Sequence, residues 1–227
     1  MKPSYRFYRG CYRLARAAIG IFYRLRVVGR ENIPEGAAMV CGNHSSLSDP
    51  FLVAFAFGVD HHMHFVAKVE LFRLPVIAPI LRKLGMISVN RDIQDTASIK
   101  SMLGYLKKDE KVAIFPEGTR ASKDGEVSAK SGAVKIADRA RVPLVPVFLP
   151  RKKPLFTRVP VIIGEPYYPS SGEGRLAADD YARLAEELMD RIYALDPSQT
   201  DLDSSQTDLD PSQTDLDSSQ TQREDTE

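Results

Sequence analysis

The chain has 227 residues, 43% of them hydrophobic, which is enough for one globular domain with a sizeable core. Its net charge of +1 conceals an asymmetry. Residues 196–227 hold ten acidic residues and one basic residue, so the other 195 residues carry a net charge of +10. A basic body suits an anionic partner, either a membrane surface or a phosphorylated substrate. The two cysteines, Cys11 and Cys41, exclude a disulfide-rich framework, lack metal-site spacing and indicate reduced thiols in a cytoplasmic setting.

Residues 4–25 are predicted to form an amphipathic helix. At about 100° per residue, four arginines fall on one narrow stripe and apolar side chains occupy the broad opposite face. These arginines are Arg6, Arg9, Arg13 and Arg16. The pattern is typical of a helix in the membrane interface, although the same helix could pack on the protein's own core with its arginines in solvent. No apolar run approaches the ~18–20 residues of a transmembrane span, and the arginines argue against a cleavable signal peptide.

A histidine and an aspartate lie five positions apart between an apolar strand and a helix start. Residues 37–41 are predicted to form a buried strand, and Asp49 and Pro50 open the next helix with Asp49 as its N-cap. His44 therefore lies on a loop short enough to bring the carboxylate to its imidazole. Such a pair can take a proton from a hydroxyl, because the carboxylate fixes the tautomer and stabilises the imidazolium. Alternatively, His44 bonds only to its own loop and Asp49 only caps the helix.

The segment that follows combines polar and apolar stretches. Three histidines between residues 61 and 64 precede an apolar strand and are interpreted as a polar loop, because no second ligand cluster accompanies them to form a metal site. Residues 71–84 are apolar but contain two prolines, so short, broken helical turns are predicted. They could line an acyl-chain path, contact lipid or belong to the core. Residues 86–91 are predicted to form a strand that ends in Arg91.

A charged turn follows the predicted strand at 112–115. Pro116 and Gly118 suit the second and fourth positions of a type I turn. Arg120, at a strand end near other basic groups, is suited to bind phosphate oxygens. The alternative is that Glu117 and Arg120 form only a local ion pair.

The rest of the chain continues the alternation of strands and helices. Helices are predicted at 95–107, 130–141 and 179–194, and strands at 144–149 and 159–163. From residue 196 a seven-residue polar repeat begins, with one leucine in each repeat. A coiled coil needs two apolar positions per heptad, so this tail is predicted to be disordered.

The order of these segments resembles the glycerolipid acyltransferases, specifically the 1-acyl-glycerol-3-phosphate (lysophosphatidic acid) acyltransferases. Four blocks carry the resemblance and cover roughly residues 25–165. They are residues 43–50 (NHSSLSDP), 67–68 with 85–91, 115–120 (FPEGTR) and 142–147 (VPLVPV). The fold is expected to be α/β, a mixed sheet with helices on both faces. The acyltransferase domain would span residues 26–195, between a membrane-contact helix at 1–25 and the tail at 196–227.

The resemblance implies acyl transfer from acyl-CoA or acyl carrier protein to the free hydroxyl of 1-acyl-glycerol 3-phosphate, giving phosphatidic acid in phospholipid biosynthesis. His44 would be the general base, and Asp49 would orient it. The side chains implied to shape the acceptor site, with the two arginines on its phosphate, are Lys68, Arg91, Glu117, Gly118, Thr119 and Arg120. No metal or tightly bound cofactor is expected, because the thioester brings its own leaving group, and no nucleic-acid partner is expected.

Three alternatives stay open at this stage. A related acyltransferase could use glycerol 3-phosphate, another lysophospholipid or an amine-bearing lipid. A non-catalytic membrane-binding module would keep the helix and arginines without needing His44. Ser45 or Ser46 could be a hydrolase nucleophile, although no G-x-S-x-G elbow is present. The protein is expected at the cytoplasmic face of the cell membrane, bound peripherally to anionic lipids, and the sequence does not indicate its oligomeric state.

Overall fold

The computed structural model describes residues 4–90, 93, 95–123, 125–170 and 176–198. The helices are α1 (Tyr5–Phe22), α2 (Asp49–Phe57), α3 (Ile77–Lys83), α4 (Thr96–Leu106), α5 (Gly132–Ala140) and α6 (Ala178–Tyr193). The strands are β1 (Tyr23–Val28), β2 (Ala38–Gly42), β3 (Met63–Lys68), β4 (Ile87–Val89), β5 (Lys111–Ile114), β6 (Leu144–Phe148) and β7 (Thr157–Ile163). Short 3₁₀ turns cover Arg30–Asn32 and Val69–Arg73. Arg91 and the tail beyond residue 198 lie outside the described residues.

The strands form one sheet in the order β1-β7-β6-β2-β5-β3-β4. Five neighbouring strands, from β6 to β4, run parallel, whereas β7 is antiparallel to β6 and pairs in parallel with β1. The predicted mixed sheet is therefore confirmed. The carboxyl ends of the five parallel strands lie at one edge of the sheet, where ligands commonly bind in open α/β sheets.

Both faces of the sheet are covered by helices, as predicted. In β2, Met39 and Cys41 pack toward α4, α5 and α6, while Ala38 and Val40 pack toward α2. This alternation follows from the two-residue period of a strand. Every residue of β2 and β6 is buried, which is typical of central parallel strands covered on both faces.

The N-terminal helix is shorter than predicted. It ends at Phe22, and residues 23–25, predicted to be helical, belong to β1 and pair with residues 157–159 of β7. Gly20 lies in the last turn of the helix, but no glycine or proline follows it before Leu25, and the amphipathic pattern continues to that residue. Pairing with β7 therefore ends the helix, and Tyr23 and Leu25 pack against the core instead of extending the helical face.

The prediction that all three closely spaced histidines lie in a loop is wrong for His64. It lies within β3 with 1% exposure, its ring stacked 3.6 Å from that of Tyr105. Its Nδ1–H donates to the carbonyl of Gly85 at 2.8 Å, and its Nε2 lies 3.0 Å from Oε2 of Glu110. Within the described parts of the chain, no group of three or more His, Cys, Asp or Glu side chains could hold a metal ion.

No helix in the described ranges is both long enough and apolar enough to span a bilayer.

Candidate active site

The central pair of residues lies in the loop between β2 and α2. Nδ1 of His44 is 2.9 Å from Oδ2 of Asp49, so the predicted carboxylate–imidazole contact is present. The same oxygen accepts the backbone N–H groups of Ser45 and Ser46, each at 2.7 Å. α2 begins at Asp49 itself with Ser48 as N-cap, so the prediction that Asp49 caps the helix is wrong by one residue. The carboxylate of Asp49 therefore binds the loop before α2 and does not cap the helix.

The pair has a defined proton arrangement. Burial alone would raise the pKa of Asp49. The hydrogen bond from His44, the ammonium of Lys153 and the N–H of Ser45 outweigh burial and hold the pKa below its ordinary value. The ionised carboxylate can only accept hydrogen bonds, so Nδ1 of His44 carries a hydrogen, and in the neutral form of the imidazole Nε2 carries the lone pair.

The imidazole ring of His44 stacks on an aromatic side chain and is partly exposed to solvent. The ring of Phe115, the residue after β5, stacks on it at 4.2 Å with 16° between the planes. The His44 side chain is 15% exposed, and its Nε2 has no hydrogen-bond partner among the described residues. A basic nitrogen fixed in this way can accept a proton from a bound hydroxyl group.

The backbone of His44 is anchored at both ends. Its N–H donates to Oε2 of Glu117 at 2.6 Å, and its carbonyl accepts the N–H of Ala121 at 2.9 Å. The same carbonyl accepts Nη1 of Arg151 at 3.3 Å. The turn after β5 and the segment after β6 therefore together fix the loop that carries the imidazole.

Glu117 makes different contacts from those considered in the sequence. It is 1% exposed, and its Oε1 accepts Nη2 of Arg151 at 2.6 Å and the hydroxyl of Tyr193 at 3.0 Å. The alternative of a local pair with Arg120 is therefore wrong, because Arg151 takes that place. Burial and the neighbouring carboxylate raise the pKa of Tyr193 to about 12, so its hydroxyl stays a donor. Through these contacts Glu117 links the backbone of the His44 loop to Arg151 and Tyr193.

A hydrogen-bonded turn is present where it was predicted, since the N–H of Gly118 donates to the carbonyl of Phe115 at 2.9 Å. Glu117, its third residue, lacks the positive φ that a type II turn requires, which agrees with the predicted type I turn. Gly118 has φ of 68°, a conformation that residues with a side chain rarely adopt, so the backbone favours glycine at this position. Thr119 and Arg120 follow with exposed side chains.

The predicted phosphate-binding cations lie at the same edge of the sheet. Arg120 follows β5, and Lys68 is the exposed last residue of β3, two neighbouring parallel strands. Arg91, which follows β4, lies outside the described residues. The sequence interpretation of Arg120 and Lys68 as acceptor-binding residues stays a prediction, with their exposed side chains at the edge that carries His44.

Several supporting residues were missed in the sequence. Asn43 is buried, and its amide exchanges two hydrogen bonds of 2.8 Å with the backbone of Leu149, which joins the ends of β2 and β6. Arg151, Lys153 and Tyr193 also contact the site. For Arg151 and Lys153, the run of basic residues after a buried strand was a sequence signal that could have indicated the site. No sequence feature distinguishes Tyr193 from other tyrosines in helices.

The two serines considered as nucleophiles are engaged elsewhere. The hydroxyl of Ser45 donates to the carbonyl of Arg151 at 3.3 Å and accepts Nζ of Lys153 at 2.8 Å. The hydroxyl of Ser46 pairs with that of Ser48 at 3.0 Å. Neither contacts the imidazole in the described structure, so the geometry does not support a serine nucleophile activated by His44.

A mixed α/β sheet that holds a histidine–aspartate pair at the carboxyl edge of its parallel strands has the geometry to take a proton from an incoming hydroxyl group. The model of the acyltransferase family matches residues 24–149, more than half of the chain. The chain belongs to the acyltransferase family.

Individual relatives agree with this assignment. The chain is 32% identical to a 1-acyl-sn-glycerol-3-phosphate acyltransferase of Bacillus subtilis, over 83% of this chain and 96% of the relative. It is 30% identical to one of Borreliella burgdorferi, over 64% of this chain and 58% of that protein. The crystal structure of a 1-acyl-sn-glycerophosphate acyltransferase of Thermotoga maritima superposes with a TM-score of 0.62 at 25% identity, covering 84% and 78% of the two chains.

Proposed function

We propose that the protein transfers an acyl group from a thioester to the free hydroxyl of 1-acylglycerol 3-phosphate, giving phosphatidic acid. The observation that carries the proposal is the His44–Asp49 pair, in which Nε2 of His44 has no hydrogen-bond partner among the described residues. It stands in a chain whose match to a 1-acyl-sn-glycerol-3-phosphate acyltransferase covers 83% of the chain and 96% of that relative. The same pair argues against a non-catalytic membrane-binding module, which would have no need of an oriented base.

The reaction requires one proton to move twice. Nε2 of His44 takes the proton of the acceptor hydroxyl while its oxygen attacks the thioester carbonyl carbon. The tetrahedral intermediate collapses with cleavage of the C–S bond, and the imidazolium returns the proton to the departing thiolate. Asp49 stabilises the imidazolium in between. The thioester, acyl-CoA or acyl carrier protein, supplies its own leaving group, so the chemistry needs no metal or further cofactor.

The acceptor phosphate is assigned to the basic edge of the sheet. The exposed guanidinium of Arg120 follows β5, and the exposed ammonium of Lys68 ends β3. A guanidinium can bind phosphate oxygens through two parallel hydrogen bonds, and the ammonium adds a point charge. Arg91 is the third cation that the resemblance implies for this site.

Membrane contact is assigned to α1 and the segment from 71 to 80. Tyr8 of α1 is buried, and Tyr12 packs edge-on against Phe55 of α2, so one face of the helix is docked on the protein. Leu14 and Ile21 are instead 74% and 68% exposed. The side chains of the second segment that are also exposed are Leu71, Leu74, Val76, Ile77 and Ile80. Apolar side chains beside exposed arginines favour peripheral binding to an anionic bilayer, where both acceptor and product reside.

An acceptor panel tests the function directly. Purified protein in mixed micelles is given one radiolabelled acyl-CoA and, separately, 1-acylglycerol 3-phosphate, glycerol 3-phosphate, a lysophospholipid with a larger headgroup and an amine-bearing lipid. We expect labelled phosphatidic acid as the main product and none from His44→Ala. A higher kcat/KM with any other acceptor would overturn the assignment of the acceptor, while leaving the histidine mechanism standing.

A further inference from the structure

Lys153, which neither the sequence motifs nor the proposed reaction uses, is buried beside the catalytic pair. It follows β6 by five residues, and only 3% of its side chain is exposed. Its Nζ lies 2.8 Å from Oδ1 of Asp49 and 2.8 Å from the hydroxyl of Ser45. A buried ammonium is costly unless a carboxylate compensates its charge, so Lys153 and Asp49 are a matched pair.

The two oxygens of Asp49 have separate partners. Oδ2 accepts Nδ1–H of His44 and two backbone N–H groups, whereas Oδ1 faces Lys153. The site therefore holds one negative and one positive charge beside the imidazole of His44. Asp49 alone would strongly favour protonation of the imidazole, and the ammonium offsets that attraction.

We propose that Lys153 is a positioning residue that balances the charge of Asp49, and thereby keeps His44 unprotonated and available as a base at neutral pH. This inference rests on the proposed role of His44. The other charged groups that contact His44 are Glu117, at its N–H, and Arg151, at its carbonyl. These two form an ion pair of 2.6 Å with each other, so Asp49 and Lys153 decide the net charge next to the imidazole.

The contact between Lys153 and Ser45 has a second chemical interpretation, a serine nucleophile with a lysine base. In that arrangement the lysine must hold a lone pair. Here Nζ donates to the hydroxyl of Ser45 and forms an ion pair with Asp49, and an ammonium paired with a carboxylate has no lone pair to take a proton. The geometry therefore favours charge balance over a nucleophilic role.

The pH profile of kcat/KM for acyl transfer tests the proposal. The acidic limb of that profile reports protonation of the base in the free enzyme. Lys153→Gln should move this limb upward by about one pH unit, since a neighbouring like charge has been removed. Well below the limb, that shift lowers kcat/KM by about tenfold. Lys153→Arg keeps the charge and should leave the limb in place, as should Lys152→Gln, an exposed neighbour. A uniform loss of rate for Lys153→Gln at every pH would mean a structural role only.

A titration by NMR tests the same point without acyl transfer. The chain has four histidines, so the imidazole of His44 can be assigned by the signal lost in His44→Gln. In Asp49→Asn the remaining ammonium should move the His44 titration midpoint to lower pH. Adding Lys153→Gln to that variant removes both charges together and should move the midpoint back up by about one pH unit. Equal midpoints in the single and double variants would overturn the proposal. Absence of acyl transfer by the wild type would instead refute the proposed function, and this titration would still be informative.

Discussion

Replacing Glu117 by glutamine separates two roles for this residue. The family resemblance places Glu117 in the acceptor site, whereas the structure surrounds its carboxylate with His44 N–H, Arg151 and Tyr193. Glutamine keeps the shape of the side chain but removes its charge and turns one oxygen into a donor. On one side that donor would face the N–H of His44, which cannot accept a hydrogen bond. On the other it would face the guanidinium of Arg151, which cannot accept either, and the hydroxyl of Tyr193, which could accept only by giving up its present donor role.

The size of the effect follows from burial. Glu117 is 1% exposed and Arg151 11%, so the change removes the carboxylate from a buried ion pair. Removing one partner of a buried ion pair costs about 3–5 kcal/mol of the free energy of unfolding. For a domain of this size, 1 kcal/mol lowers Tm by about 3 °C, so a fall of about 9–15 °C is expected. Loss of the His44 anchor should also lower kcat by about 10²-fold, the effect of misplacing a catalytic group by 1 Å.

The assay combines thermal unfolding with steady-state kinetics on 1-acylglycerol 3-phosphate. Glu126→Gln is the matched control, because Glu126 also accepts three hydrogen bonds, from Ser122 and Lys123, but on the protein surface. It should leave Tm and kcat close to those of the wild type. A Glu117→Gln variant with wild-type Tm and kcat but a raised KM for the acceptor would refute the anchoring role and support direct contact with substrate.

Four further variants test the rest of the site and the membrane surface. His44→Ala should abolish acyl transfer in the labelled-acyl assay without changing Tm or vesicle binding, and a tenth of wild-type turnover in this variant would contradict the mechanism. Asp49→Asn should lower kcat by about 10⁴-fold. Arg120→Ala should raise the KM of the phosphorylated acceptor more than that of the acyl donor, because a charge-assisted contact is lost; equal effects would indicate a structural role for the turn. The remaining variant replaces by glutamine the α1 arginines Arg6, Arg9, Arg13 and Arg16. In co-sedimentation at low salt, this variant should bind anionic vesicles much more weakly than the wild type does, since each basic residue contributes about 1 kcal/mol to binding near an anionic surface. Its binding to neutral vesicles should be about equal to that of the wild type. Unchanged binding to anionic vesicles would show that α1 is only a packed surface helix.

Local sequence signals were sufficient for most of the fold and for the core of the site. The apolar runs of the central strands and the periodic helices need no distant partner to be recognised, so α4, α5 and α6 begin and end within two residues of their predicted bounds. The pairing of His44 with Asp49 could also be predicted, because only four residues separate them and the loop must turn from a strand into a helix.

Long-range contacts decided what the local signals could not. The end of α1 at Phe22 depends on β7, about 135 positions further along the chain, which pairs with residues 23–25. The partner of Glu117 is Arg151, 34 positions away, although Arg120 was the nearer candidate in sequence. A charge is compensated by whichever opposite charge the fold buries beside it, and sequence distance does not determine that choice.

The sequence by itself thus determined the pairing of His44 with Asp49 and the turn that precedes Arg120, since each is encoded within a few consecutive residues. Only the tertiary structure decided what holds these pieces in place. Parallel strands bring the segments after β2, β5 and β6 to one edge of the sheet, where Arg151 and Lys153 meet the loop of His44. Their roles arise because buried polar groups must find partners, and those partners come from strands that are neighbours only in the folded sheet.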